Sequence, residues 1–303
     1  MYTMPTLKQT ILNMIPDPMI IFFARPYVAG STMKSAIDAA DRIYKKKGLL
    51  SSIDILGEEV KDEAKARQDC DLYLKLIDTL GDRKYISISF KPTHMGFYVS
   101  EKLCRENIEK IVKKAYERGF AVTMDMEDID LTDFTVNFYR ELAQKYPGFG
   151  TVLQAKLWRT CDDIDRLDGI KAVIRLCIGI YNVERYAFQK KSAMKDNLLH
   201  LMQKMFRKGH KVQIATHDEK YIRLALRYIE EWKIPKDRFE FQFIMGVPRD
   251  GVISELRAKG IDVRIYIPFC EKWSDGIAYL RRRLNANPNF IFYVMRNMMR
   301  GSF

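Results

Sequence analysis

The 303-residue sequence predicts an α/β fold, a (β/α)8 barrel, on three observations. Short apolar runs carrying β-branched residues alternate with amphipathic stretches of helical spacing. Eight such β-then-α units follow one another, which implies parallel strands with right-handed crossovers, and eight parallel strands close most naturally on themselves. No Pro-, Gly- or Ser-rich linker, low-complexity tract or short repeat divides the chain, so one domain is expected over residues 1–303. An open doubly wound sheet is the competing fold. It normally carries a Gly-rich phosphate turn after an early strand, and neither GxGxxG nor GxxxxGK[ST] occurs here.

Residues 1–49 form an arm ahead of the first strand, with a helix over 32–47 that Gly48 stops. The arm is expected to pack on the barrel. The strand candidates are 50–56, 85–90, 121–125, 151–155, 172–177, 211–215, 239–243 and 263–267. Between them 100–118, 128–145, 197–208, 218–232 and 250–259 place apolar residues three and four apart, as crossover helices require. A ninth apolar run, 290–295, follows a helical and strongly basic stretch and is read as lying outside the barrel. The expected division is therefore arm 1–49, barrel with its capping helix 50–288, and carboxy-terminal segment 289–303.

Composition narrows the function classes. With 51 Lys plus Arg against 39 Asp plus Glu the net charge is +12, and 47% of positions are hydrophobic. That balance is globular. The longest apolar stretches, such as 19–24, fall far below the ~18 residues of a membrane span, and residues 1–14 lack the order of a secretory signal. A cytoplasmic location is expected. Cys70, Cys104, Cys161, Cys177 and Cys270 are scattered, which suggests reduced packing residues and neither a disulfide framework nor a metal site.

In a barrel of this kind chemistry sits at the carboxyl ends of the strands. Those ends carry Glu58, Lys91, Asp125, Gln154, Arg175, Thr216 with His217, Gln242 and Tyr266. A strand end is often polar only because the chain is reaching solvent. Eight ends that together offer both charge signs, amide, imidazole and phenol point to a functional mouth. Further on, helical spacing puts Arg282 and Arg283 on the face of Tyr279, with Arg281 directed elsewhere. Two guanidinium groups on one face suit a carboxylate or phosphate, although three consecutive arginines are also the pattern of a solvated or nucleic-acid-binding face. Basic residues are otherwise spread along the helices without interleaved aromatics, so nucleic acid is not the expected partner.

These segments resemble the monofunctional bacterial proline dehydrogenases. The resemblance runs in order through RPYVAG (25–30), ILGEE (55–59), Lys91 ahead of Gly96, MDMED (124–128), LQA (153–155), RLCIGIY (175–181), ATHD (215–218), FEFQ (239–242), RIYIP (264–268) and YLRRRL (279–284). It implies a distorted (β/α)8 TIM-like barrel with an N-terminal helical arm, noncovalent FAD across the strand ends and the last helix over the barrel mouth. By the same resemblance Lys91, Asp125, Arg175 and Tyr266 are the catalytic candidates. Lys91, Leu176, Ile244, Tyr266, Tyr279, Arg282 and Arg283 bind substrate, the two arginines taking its carboxylate, and Glu58 pairs with Arg282 as a gate. Gln154, Arg175, Gly179, Tyr181, Lys191, Thr216 and His217 hold the flavin, with Arg175 at its N5, and no metal is involved.

The implied reaction converts L-proline to Δ1-pyrroline-5-carboxylate and passes electrons to a quinone, with peripheral membrane contact and a pyrroline-5-carboxylate dehydrogenase as partner for the product. Tyr266 favours proline, because relatives that oxidise hydroxyproline, the alternative substrate, tend to carry a smaller residue there. Two positions depart from the family: Ile178, where a Lys is common, and Ala286, where a Glu is common. Arg281 with Arg282 is a second possible register for the carboxylate clamp.

Overall fold

The computed structural model describes residues 16–181 and 184–286. Its arm begins with α1 (Asp17–Ala24) and α2 (Met33–Lys47). The barrel follows as β1 (Leu50–Ile55), α3 (Glu63–Thr79), β2 (Ile86–Phe90), α4 (Glu101–Glu117), β3 (Val122–Met124), α5 (Thr132–Lys145), β4 (Gly150–Gln154), α6 (Thr160–Asp165), β5 (Val173–Cys177), α7 (Lys191–Arg207), β6 (Lys211–Ala215), α8 (Glu219–Glu231), β7 (Phe239–Ile244), α9 (Asp250–Ala258), β8 (Val263–Phe269) and α10 (Trp273–Ala286). The eight strands pair in chain order, all parallel, and β8 returns to β1 with Ser52 opposite Tyr266, closing the barrel. The ninth run and the segment 289–303 lie outside the described residues.

Helix boundaries follow from local chemistry. The Thr32 hydroxyl accepts from the Ser35 amide at 3.1 Å to open α2, and Gly48, left-handed at φ 62°, ends it beside Lys45, Lys46 and Lys47. Asp62 and Ser100 cap α3 and α4 in the same way.

Two features distort the standard plan. Helix α2 contacts both β1 and β8 and buries Ala36, Ile37, Ala39 and Ala40 in the main core. It thus fills the outer groove at the barrel seam, where the helix after β8 usually packs. Helix α10 is thereby free to lie across the mouth. There a second, separate apolar cluster forms from Ile20 and Ala24 of α1, Tyr27 and Val28 of the arm, Leu56, Val247 and Cys270 from the loops after β1, β7 and β8, and Tyr279, Leu280 and Leu284 of α10. The chain between α1 and α2 is strapped along β8: the Ala29 amide donates to the Pro268 carbonyl at 2.8 Å and the Cys270 amide to the Gly30 carbonyl at 3.1 Å. Gly246, at φ 82°, lets the Pro26 carbonyl pass so closely that an added Cβ would lie 2.3 Å from its oxygen.

The strands of such a barrel are usually buried on both sides by apolar residues. Here the interior is largely polar. Asp54, Ser87, Ser89, Lys91, Arg175, Gln213, Glu240, Gln242 and Arg264 are all buried, and this lattice positions the site.

Candidate active site

At the floor of the mouth, β1 and β2 supply an ion pair: Lys91 Nζ donates to Asp54 Oδ2 at 2.8 Å, with Asp54 fully buried. Burial opposes the charged amine, but Asp54 and, beyond it, Asp125 hold the Lys91 pKa above the ordinary lysine value. Asp54 had no part in the sequence expectation. It sits inside an apolar run, and only barrel closure reveals that it faces Lys91.

Arg175 is the hub. Its Nε donates to Gln242 Oε1 at 2.6 Å, and its Nη1 to Asp125 Oδ1 at 2.7 Å and Ser89 Oγ at 3.2 Å. Asp125 Oδ1 also accepts from Ser89 Oγ at 2.7 Å, and Oδ2 from the Tyr266 phenol at 3.0 Å. The guanidinium carbon stands 5.1 Å from the Tyr266 ring centre, within cation–π range. Arg175, Gln242 and Tyr266 lie within β5, β7 and β8, not at their last residues, so these side chains rise from inside the barrel. Burial, and then the neighbouring carboxylates Asp125 and Asp54, push the Tyr266 phenol well up, and it stays neutral.

Helix α10 forms the roof. Arg282 Nη1 donates to Glu58 Oε1, joining the helix to the loop after β1. Arg281 Nη2 instead donates to Asp17 Oδ1 of α1 at 2.9 Å. Arg283 lies 4.6 Å over the Tyr279 ring, and among the described residues it is the one arginine of the three with no ion pair to a carboxylate. Ile244, at the end of β7, packs against the roof cluster. Leu176, next to Arg175 on β5, is fully buried in the main core.

The loop bearing Glu58 is tied down by Thr93 and Glu127, two residues absent from the sequence expectation. Glu127 Oε2 accepts from the Thr93 amide at 2.9 Å and Oε1 from the Thr93 hydroxyl at 2.6 Å, while that hydroxyl accepts from the Glu59 amide at 3.1 Å. Glu59 is held at φ 53°, left-handed for a non-glycine residue. Burial pushes the Glu127 carboxyl up to about 7, against the Thr93 hydrogen bonds and Lys91.

The cofactor candidates lie along the ends of β4, β5 and β6. Gln154 Nε2 donates to the Glu127 carbonyl at 2.8 Å. Thr216 and His217 follow β6, Tyr181 lies beyond β5, and Lys191 opens α7, where it is exposed. Burial, with Arg283 and Arg249 adding to it, brings the His217 pKa down to about 3, so its imidazole is neutral. Gly179, at φ 100°, lets the Gln154 and Lys156 side chains pack against the backbone: an added Cβ would sit 2.4 Å from Gln154 Oε1 and 2.8 Å from Lys156 Cδ. Lys156, also missed from sequence, donates to the Tyr181 carbonyl. The neighbouring Ile178 brings no charge of its own.

These residues pass a simple test for a flavin. Gln154 Oε1, Arg175 Nη2 and His217 Nδ1 are buried without hydrogen-bond partners. Buried polar atoms are rarely left so. Acceptor and donor atoms on the neighbouring ends of β4, β5 and β6 suit a heterocycle that presents both N–H groups and ring acceptors. No group of His, Cys, Asp and Glu suited to a metal occurs among the described residues.

A closed parallel barrel with a charged, roofed mouth defines a (β/α)8-barrel enzyme. Residues 36–174 and 181–290 match the family model described as proline dehydrogenase, and the chain belongs to that oxidoreductase family. It is 33% identical over 273 residues to "Proline dehydrogenase 2" of Bacillus subtilis (strain 168), covering 89% of this chain and 88% of the relative. To the "Proline dehydrogenase" of Deinococcus radiodurans it is 32% identical over 285 residues, 92% of this chain and 90% of the relative. Among solved structures, the proline utilization A protein (PutA) of Bdellovibrio bacteriovorus inactivated by N-propargylglycine superimposes with a TM-score of 0.78 at 22% identity. That of Bradyrhizobium japonicum gives 0.71 at 23%. This chain covers 32% and 31% of those longer proteins, and at such identity they establish the shared barrel fold.

Proposed function

We propose that the protein oxidises L-proline to Δ1-pyrroline-5-carboxylate with noncovalently bound FAD and delivers the electrons to a quinone. One observation carries the reading. Arg175, with an unspent buried Nη2, and Arg283, with no carboxylate partner among the described residues, face the same mouth, so it offers positive groups both to a cofactor and to a small anionic substrate.

The roof arginines, Arg282 and Arg283, would hold the carboxylate, and the Arg282–Glu58 pair would close the site behind it. Tyr266 and Tyr279 present ring faces to the apolar part of proline, with Ile244 beside them; Leu176, on the face of β5 opposite Arg175, backs the strand from the main core. Lys91 and Asp125 set the charge beneath the ring. Gln154, Gly179, Tyr181, Lys191, Thr216 and His217 would hold the FAD, with Arg175 next to its reacting ring. When bound, FAD would supply the acceptor for a hydride, that is, one proton with two electrons. In the substrate, the C–H bond at the ring carbon beside nitrogen breaks with its electron pair, the nitrogen loses a proton, and a C=N bond forms. The chain's part is to fix the ring by its carboxylate and to hold the guanidinium of Arg175 in place.

A quinone acceptor brings the protein to a membrane surface. No helix of the described residues is long and apolar enough to cross one, and a net charge of +12 suits anionic headgroups. The pyrroline product would pass to a separate dehydrogenase.

The test is anaerobic. Protein reconstituted with FAD should be yellow and should bleach on addition of L-proline. A protein that takes up no flavin, or whose flavin is not reduced by L-proline, refutes the reading. Reduction by trans-4-hydroxy-L-proline as fast as by L-proline would refute the choice of substrate made from Tyr266.

A further inference from the structure

Below the hub lie two buried charges with no role in the reading above. Glu240 sits two residues before Gln242 on β7, on the same inward face, and Arg264 is the β8 residue in register with Gln242. Arg264 grips the Glu240 carboxylate from Nε at 2.7 Å and Nη2 at 3.1 Å. Its Nη1 is anchored on the Ser51 carbonyl at 3.0 Å and on Ser87 Oγ at 3.0 Å. The Gln242 amide bridges this lower pair to the hub: Nε2 donates to Glu240 Oε1 at 2.7 Å, and Oε1 accepts from Arg175 Nε at 2.6 Å.

The direction of that amide follows from charge. An ionised carboxylate only accepts hydrogen bonds and a guanidinium only donates them. Gln242 must therefore turn its NH2 towards Glu240 and its carbonyl towards Arg175. If residue 240 could also donate, the reversed amide would become available, setting NH2 against the Arg175 N–H. With Nε held by Gln242, and Nη1 by Asp125 and Ser89, the guanidinium plane is fixed and Nη2 is the one nitrogen left unspent.

We infer that Glu240, kept in place by Arg264, is a positioning residue: acting through Gln242, it sets the orientation of Arg175 and so aims Nη2 at the cofactor. The inference rests on the functional reading above. It is distinct from a through-space effect of charge. Removing a negative charge beneath the site would by itself stabilise a reduced, anionic flavin and raise its midpoint potential, whereas misdirecting Arg175 withdraws a donor from the flavin and lowers it.

The experiment compares FAD-loaded wild type with Glu240→Gln and with Glu240→Gln/Arg264→Gln, which leaves no unpaired buried charge and serves if the single variant does not fold. The readouts are FAD affinity, flavin midpoint potential and the rate of anaerobic reduction by L-proline. Expected in both variants are FAD retention, a lowered potential and a loss of roughly tenfold in reduction rate, the size of one charge-assisted hydrogen bond misplaced. A potential that rises, or a potential and rate unchanged while only thermal stability falls, overturns the inference and leaves the proline dehydrogenase reading intact. A wild type whose flavin proline does not reduce overturns both.

Discussion

Replacing Asp54 by Asn tests how far the buried lattice holds the barrel together. Asp54 is 0% exposed and Lys91 9%, with the charges 2.8 Å apart. At an effective dielectric constant of about 20 their gross attraction is roughly 6 kcal/mol, offset by desolvation of both groups. Removing one partner strands a buried ammonium, which typically destabilises by about 3–5 kcal/mol. With an unfolding entropy near 2.1 cal/mol/K per residue, a 303-residue chain should lose about 5–8 °C in Tm. Thermal unfolding followed by circular dichroism, without substrate, is the assay. Asp54→Asn/Lys91→Met removes both charges and should recover most of that loss, because the penalty is for the stranded charge and not for the missing attraction. The reasoning fails if Asp54→Asn unfolds within about 1 °C of wild type, or if the double variant is no more stable than the single one.

Three further outcomes follow from the same geometry. Arg283→Met should weaken binding of L-proline, or of a non-oxidisable carboxylate analogue, by roughly 10- to 100-fold, as loss of charge-assisted hydrogen bonds implies, with flavin content near normal; release of the flavin would contradict the assigned role. Gly179→Ala places a methyl 2.4 Å from Gln154 Oε1 at φ 100°, a strain of about 1–3 kcal/mol that displaces the Gln154 amide, so equilibrium dialysis should find FAD held at least about tenfold more weakly, and an unchanged affinity would reject Gln154 as a flavin contact. Glu127 titrates near 7 when folded against an ordinary 4.5. As pH rises the unfolded chain therefore releases this proton first, and wild type should lose about 2 kcal/mol between pH 5 and 7. Glu127→Gln should lack that decline, and Tm-versus-pH curves that run parallel for the two proteins would show that Glu127 does not titrate as stated.

What the sequence made readable, and what it hid, has a physical pattern. Each strand keeps apolar, often β-branched, residues on its helix-facing side even where the barrel side is polar, so every strand from β1 to β8 was visible to within a residue or two at each end. Helix α1 was not, because DPMIIFFA is apolar all round and carries no helical stripe. The seat of α2 at the seam was hidden as well, since it depends on α10 having left that position. Candidate residues at the mouth were visible where a polar side chain stands at or near a strand end. Asp54, Glu240 and Arg264 were passed over because each lies within a strand, and its partner is named only when neighbouring strands are set side by side. Glu127 and Thr93 act on the Glu58 loop through main-chain contacts, which leave no spacing signature.

The roof also has a history in the making of the molecule. Asp17 and Arg281, which bond across the mouth, are separated by 264 positions, and Glu58 and Arg282 by 224. On a ribosome α1 emerges long before α10 exists, so the surface that will seat α10 must wait uncovered while the strands assemble. The mouth is therefore roofed only once α10 has been made, and a chain stalled before residue 273 would hold the eight strands with an open top.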